Sequence, residues 1–384
     1  MKVMHIASFG GNIGDILNHY GFYKTIGTRI GIDYSEKVEV RRFYKNASPN
    51  EKLTFSSKFL REVNEYDVLI IGGGGFFDAR WPYSHTGTTI DFSDDFISGI
   101  KIPVIVNAMG YHEFYSQTDQ EVQKLFGQFV RKVIDKGWFL SLRNDGSFAR
   151  FRRRYGSLGE NKILCVPDNG FFALDKAVVQ AAAIRRREKV IGLCITNDLF
   201  CSEYNGNLTA DSFNEKIVNV IATLSEQNQI VLFAHTPDDI VTIGYLFQKL
   251  SSSCKRYNIV VAPFNPNGET PFIELAQYYQ ACDCIIGMRF HSLILALQLH
   301  KPTIALSGHA QIEDFFQDLG LSDYCVCLNN TDFDKKLIRL LNMALDYRTV
   351  LSTKIRDIHD SLCKKNSEYA ERIAEYLTTF NIKK

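Results

Sequence analysis

Arg289 and His291 stand one residue apart in the stretch CIIGMRFHSLILALQLHKPTIAL, between an apolar run ending at Gly287 and an apolar helix-like run. Burying a guanidinium or an imidazole costs free energy unless each is paired. Either both find protein partners or they face a ligand. On an extended segment, side chains two residues apart share one side. A helix starting at Ser292 or at the His291 backbone would aim its N-terminus at the same place, which favours an anion. The stretch therefore describes an anion site beside a proton-transfer group. Arg289 and His291 are the catalytic candidates, and Ser292 is a binding candidate.

Other candidates follow the ends of strand-like runs. SFGGNIGD (residues 8–15) leads from the first strand into a helix. Its glycines allow close approach of a ligand to the backbone. Asn12 and Gly14 are expected to face the site, and Asp15 either binds ligand or caps the helix. In IIGGGGFFDARW (residues 70–81), Gly73, Gly74 and Gly75 fit a turn at the carboxyl end of a strand, where open α/β sheets bind ligands. Phe76, Phe77, Trp81 and Tyr83 after it either stack on a sugar or pack the loop. Arg143 ends the strand FLSLR, and its forked geometry suits a carboxylate or phosphate. Arg150, Arg152, Arg153 and Arg154 on the next helix read as a solvated face. His235 follows the strand IVLFA, and His309 follows TIAL, both at sheet edges. His300 reads as a cap or surface residue. No HExxH, CxxC, GxSxG or paired-carboxylate pattern appears, so no catalytic metal is expected.

These residues need a scaffold, and the chain supplies the pattern for one. Apolar runs suited to strands buried on both faces alternate with helical periodicity. The alternation stops in the alanine-rich, basic stretch 174–189 and then restarts. With 384 residues, two domains are expected. The expected layout is a Rossmann-like domain over 1–175, a linker over 176–189, a second such domain over 190–345, and a helical tail over 346–384 crossing back to the first domain. Two doubly wound α/β domains facing a central cleft would result.

Composition excludes several classes. The chain is 45% hydrophobic and 23% charged, with formal net charge +1 from 44 basic and 43 acidic residues. That balance gives no general pull toward nucleic acid. The N-terminus enters a strand pattern at once, unlike a signal peptide. No run approaches the roughly 20 apolar residues that span a bilayer. The nine cysteines are expected to be reduced thiols in a cytoplasmic protein. The pairs Cys282/Cys284 and Cys325/Cys327 read as small core residues rather than metal ligands.

Taken in order, GNIGD, GGGG, SLRNDGSFARFRRRYG, VPDNGFF, LFAHTPDD, the G-M-R-x-H-S-L-I core of the opening stretch, and DFFQDLGL resemble the polysaccharide pyruvyl transferase family, from Val3 to about Leu321. The resemblance implies a GT-B-like fold. It implies transfer of the enolpyruvyl group of phosphoenolpyruvate to a sugar, forming a pyruvate ketal and releasing phosphate, with no cofactor. Arg289 and Arg143 would hold the donor's carboxylate and phosphate, and His291 would be the general acid/base. The partners implied are phosphoenolpyruvate, a sugar or lipid-linked glycan acceptor at the inner membrane face, and glycan-assembly enzymes. Two places depart from the family pattern. Asn169 stands where proline is frequent. His309-Ala310-Gln311 stands where a lysine is frequent, so either His309 takes the phosphate role or the donor differs. The alternative on the same fold is a nucleotide-sugar-dependent glycosyltransferase, with Asp238 or Asp239 contacting the ribose.

Overall fold

The computed structural model describes every residue except 113–119, 176, 178, 186, 198–207 and 383–384. Three positions of the expected linker, 176, 178 and 186, thus lie outside the described residues.

The chain forms two compact units. The first comprises Met1–Phe9, Phe22–Asn169 and Lys364–Lys384; the second comprises Gly10–Gly21 and Gly170–Cys363. Each contains one six-stranded sheet in which every pairing is parallel.

The first sheet contains β1 (Lys2–Ala7), β2 (Tyr34–Glu39), β3 (Val68–Gly72), β4 (Val104–Met109), β5 (Phe139–Arg143) and β6 (Ile163–Val166), in the order β2-β1-β3-β4-β5-β6. The apolar runs VLIIG and VIVNAM are buried at every position, as a strand covered by helices on both faces requires. β2 ends at Glu39, and Val40–Phe43 turn into a 3-10 helix. The Glu39 side chain accepts from the Arg41 N–H and caps that turn.

The second sheet contains β7 (Val190–Cys194), β8 (Gln229–Leu232), β9 (Ile259–Val261), β10 (Cys284–Gly287), β11 (Thr303–Ser307) and β12 (Cys325–Cys327), in the order β12-β11-β10-β7-β8-β9. The chain leaves β7 toward β8 and β9, then returns to its other side with β10. The topological switch point therefore lies between β7 and β10, where Cys194 pairs with Gly287. In the first sheet it lies between β1 and β3. Open α/β sheets bind ligands outside the carboxyl ends of strands at such points.

Two segments belong where sequence order does not put them. The helix Ile13–Phe22 begins in the second unit, where Ile13 and Leu17 enter the core. The 31-residue helix Arg348–Thr378 contributes Leu351, Ile355 and Leu362 to that same core. Its later turns give Tyr369, Ala370, Ile373 and Leu377 to the core of the first unit. There the Tyr369 hydroxyl bonds Ser141 Oγ at 2.7 Å and donates to Asn107 Oδ1 at 3.0 Å. Among the described residues, no helix is long and apolar enough to cross a membrane.

Candidate active site

In the second unit, β10 ends at Gly287 and the chain passes Met288 and Arg289 into the helix Phe290–Gln298. Arg289 finds a protein partner. Its Nε donates to Asp239 Oδ1 and Oδ2 at 2.9 and 3.1 Å, and its Nη2 donates to Oδ1 at 2.7 Å. Nη2 also donates to Thr196 Oγ1 at 3.0 Å and to Thr236 Oγ1 at 2.8 Å. Thr196 follows β7, so the guanidinium sits at the switch point.

Asp239 is fully buried. Its Oδ2 accepts the His235 and Thr236 backbone N–H groups at 2.8 and 3.1 Å. The sequence T-P-D-D explains this. Thr236 is the N-cap of the helix Pro237–Lys249, Pro237 occupies its first turn, and Asp239 reaches back to the cap N–H. Asp239 is thereby committed to helix and arginine, which removes it as a ribose contact.

His291 is half-buried and packs against Gly14. A Cβ on Gly14 would fall 2.4 Å from His291 Nδ1 and 2.5 Å from its Cβ and Cγ. The glycine motif and the histidine motif therefore meet, for a steric reason. Alanine for glycine in a helix normally stabilises by about 0.5–1 kcal/mol. Here overpacking costs about 1–3 kcal/mol and should win. Gly14→Ala is expected to lower the unfolding midpoint and, by displacing the imidazole, to cut transferase activity about 10²-fold. A stabilised, fully active variant would contradict this contact.

Burial sets the charge state of two histidines, His235 and His5. His235 is 1% exposed rather than open to solvent. Its Nε2 bonds the Tyr279 hydroxyl at 2.8 Å, and its carbonyl accepts the Ile13 N–H at 3.0 Å. Burial lowers its pKa from the ordinary 6.5 to about 3; the Arg289 and His291 charges push the same way and Asp239 opposes them. His5 of the first unit is fully buried and lowered to about 4, chiefly by burial. Both rings stay neutral in the fold, whereas the unfolded chain binds a proton below about pH 6.5. Their stability contribution is therefore complete above pH 6.5 and is lost as pH falls toward 4 for His5 and toward 3 for His235. Each ring contributes a slope of up to about 1.4 kcal/mol per pH unit. The urea midpoint should fall across that window, and His5→Gln should flatten the fall; a midpoint independent of pH would refute it.

The remaining second-unit candidates have local duties. Ser292 is fully buried and donates to the Arg289 carbonyl at 2.7 Å. Asn12 Oδ1 accepts the Gly14 N–H at 2.8 Å, so Asn12 caps the helix and Asp15 lies inside its first turn. His309 is half-buried, and its carbonyl accepts from Ser307 Oγ at 2.9 Å, one step before the helix Ala310–Asp318. His300 follows Leu299, the C-cap of the helix Phe290–Gln298. At φ +55° it ends the helix Phe290–Gln298, with His300 N–H bonding Leu297 O and Lys301 N–H bonding Ala296 O.

In the first unit, Arg143 ends β5 and is 3% exposed. Its Nη1 donates to Asp168 Oδ2 at 2.9 Å, and its Nε pairs with Asp145 Oδ2 at 3.3 Å. Both carboxylates are fully buried. Arg150 departs from the expected solvated face: it is buried and donates to the Asp145 and Tyr111 carbonyls at 3.0 and 3.4 Å. The tetraglycine also has a steric explanation. Gly73 adopts φ +89°, which excludes side chains. A Cβ on Gly74 would strike the Phe76 ring at 2.4 Å, and one on Gly75 would meet His112 at 2.9–3.0 Å. Phe76 and Phe77 pack in the core; Trp81 is half-buried and Tyr83 exposed, with the Trp81 indole N–H donated to buried Asp78 at 2.9 Å.

His112 was not singled out from the sequence. It lies two residues after Gly110 in VNAMGYH, at the carboxyl end of β4, and is 6% exposed. Its signal was the same as that of Arg289 and His291: a polar residue just after an apolar strand and a glycine. Among the described residues, no group of three or more His, Cys, Asp or Glu is placed to hold a metal, and the described cysteines are free thiols.

Two parallel sheets flanked by helices, each with its polar cluster at the carboxyl edge, define a Rossmann-like protein of the GT-B class. The fold resembles UDP-GlcNAc 2-epimerase from Methanocaldococcus jannaschii (TM-score 0.51, 17% identity, 90% of this chain and 93% of that one). It also resembles HepE from Anabaena in complex with UDP (TM-score 0.56, 12% identity, 99% and 100%). A third likeness is UDP-GlcNAc 2-epimerase from Neisseria meningitidis bound to UDP-GlcNAc (TM-score 0.55, 11% identity, 99% and 100%). At these identities the likeness is one of fold. Within that class, the chain belongs to the polysaccharide pyruvyl transferase family, whose model matches residues 12–309.

Proposed function

We propose that this transferase moves the enolpyruvyl group of phosphoenolpyruvate onto two hydroxyls of a sugar in a glycan precursor. The product is a pyruvate ketal, and phosphate is released. The observation that carries this reading is His291, set in G-M-R-x-H-S-L-I at the switch point of the second sheet, within the span that the family model matches.

In this reading His291 protonates the methylene carbon of the donor. The adjoining carbon gains oxocarbenium character, one hydroxyl attacks it, phosphate departs, and the second hydroxyl closes the ketal. A positioned proton-transfer group contributes on the order of 10²–10⁴-fold. Arg289, in the same unit as His291, binds an anionic group of the donor. Its carboxylate partner Asp239 holds the guanidinium in place, so little side-chain entropy is lost on binding. Preorganised donors of this kind stabilise shifting charge. The enol phosphate supplies the driving force, and the reaction needs no redox cofactor. The acceptor is a sugar or lipid-linked glycan, met by a cytoplasmic enzyme at the inner membrane face beside other glycan-assembly enzymes.

Thermal unfolding with ligands tests the donor. Phosphoenolpyruvate at 100 times its Kd should stabilise by about 2.7 kcal/mol. UDP, GDP and CMP sugars should leave the midpoint unchanged. A shift with a nucleotide sugar but none with phosphoenolpyruvate would favour the glycosyltransferase alternative.

A further inference from the structure

We propose that Arg80, Trp81 and Tyr83, held in place by the buried Asp78, form a subsite in the first unit for a sugar bearing a carboxylate or a phosphate. This rests on the pyruvyl-transfer reading only in calling that sugar part of the glycan acceptor, to which that reading gives no residues.

The loop after β3 divides its aromatic residues between two duties. Phe76 and Phe77 are buried in the core of the first unit, where Phe77 meets Phe126 edge to face at 5.1 Å. A few residues on, the loop changes character. Arg80, Pro82 and Tyr83 are exposed and Trp81 is half-buried. Neither Trp81 nor Tyr83 belongs to, or packs against, any of the hydrophobic cores formed by the described residues. Packing therefore does not account for them. The loop leaves the carboxyl end of β3, beside the β1–β3 switch point, where open α/β sheets bind ligands.

These surface side chains are nevertheless fixed. Asp78 Oδ2 accepts the Trp81 indole N–H at 2.9 Å and the Arg80 Nε–H at 3.0 Å, and its Oδ1 accepts the Thr89 backbone N–H at 3.3 Å. Burying a carboxylate costs free energy, and here the buried carboxylate orients an indole and a guanidinium that stay at the surface. The loop behind them is braced. Gly87 O accepts the Trp81 N–H at 3.1 Å, Thr89 Oγ1 donates to Phe76 O at 3.2 Å, and Ser84 Oγ and Thr88 Oγ1 each bond Thr86 Oγ1 at 3.0 Å. A ligand meeting Arg80 and Trp81 has little left to order.

Rings and cations alternate along this surface. The Arg80 guanidinium lies 4.9 Å from the Trp81 ring centroid. Trp81 and Tyr83 meet edge to face at 5.6 Å, and Lys45 Nζ lies 5.2 Å from the Tyr83 centroid. The Arg80 side chain is 42% exposed and Tyr83 46% exposed, so both can touch a ligand. Aromatic rings with a polar handle suit the C–H faces and hydroxyls of a sugar. A forked guanidinium suits a carboxylate or phosphate carried on it, and Lys45 adds a point charge. Together these point to an acidic sugar rather than a neutral one.

The test uses tryptophan emission. The chain has two tryptophans, and Trp138 is buried in the core, so Trp81 reports on this surface. Full-length protein without donor is titrated with tetragalacturonate, glucose 1-phosphate and neutral maltotetraose. At least one acidic probe should shift the emission, and which one does so tells carboxylate from phosphate. Trp81→Phe should abolish the shift. In intact Trp81 protein, Tyr83→Ala should weaken binding of that probe about tenfold. Arg80→Gln should weaken it about 3- to 5-fold and leave maltotetraose unaffected. The proposal is overturned by no shift with either acidic probe, by a shift that survives Trp81→Phe, or by equal affinity for maltotetraose. Unchanged affinity in Arg80→Gln, or a shift with phosphatidylglycerol vesicles and none with the sugars, would overturn it as well. Should an acidic probe bind as expected while phosphoenolpyruvate is not consumed, the subsite stands and the pyruvyl-transfer reading fails.

Discussion

Asp239→Ala is expected to destabilise the second unit by about 3–5 kcal/mol, the cost of stranding one member of a buried ion pair. The Arg289 side chain is only 12% exposed, so its charge cannot escape to water. The same change strips the acceptor from the His235 and Thr236 N–H groups, and each buried orphan adds about 1–3 kcal/mol. A surface pair would contribute at most about 1 kcal/mol, so the size of the effect separates the two cases. Urea unfolding checks it. The double variant Asp239→Ala/Arg289→Met should cost less than the sum of the single changes, because no charge is left stranded. Additive losses would mean that the two side chains act independently.

His291→Ala is expected to leave the fold intact and remove pyruvyl transfer by about 10²–10⁴-fold. The ring is half-buried and lies over Gly14, so its removal opens space without stranding a charge. Incorporation of solvent deuterium into the donor's methylene group should vanish with it, because that proton is the one assigned to His291. A near-normal rate with unchanged deuterium incorporation would take the role from His291. The contrast with Asp239→Ala is informative: one change removes stability, the other chemistry.

Much of this was legible in the sequence. Apolar runs such as VLIIG and VIVNAM located buried parallel strands, because burial on both faces leaves a continuous signature. The strand-end rule brought Arg143, Arg289 and His291 to carboxyl edges. The partners of the arginines were harder to see. Asp239 was written as the third helical residue of T-P-D-D, a capping box, and was instead weighed as a ribose contact. Asp168 lies 25 residues from Arg143, and only the β5–β6 pairing makes them neighbours. Glycine was the main ambiguity. Gly14, Gly74 and Gly75 were explained by ligand approach, yet a missing side chain equally makes room for His291, Phe76 or His112. Arg150 was assigned to solvent from the basic run around it, although its carbonyl partners bury it. The assignment of Gly10–Gly21 to the second unit depends on contacts such as Ile13 with His235, more than 200 residues away, which no local pattern encodes.

The most direct test of the account is phosphorus NMR of the full-length protein with phosphoenolpyruvate and a panel of lipid-linked and nitrophenyl sugars, followed by mass analysis of the sugar. The account predicts that the enol phosphate signal gives way to inorganic phosphate, in step with a sugar that gains one pyruvate as a ketal, and that His291→Ala stops both. Intact phosphoenolpyruvate alongside cleavage of a nucleotide sugar would contradict it.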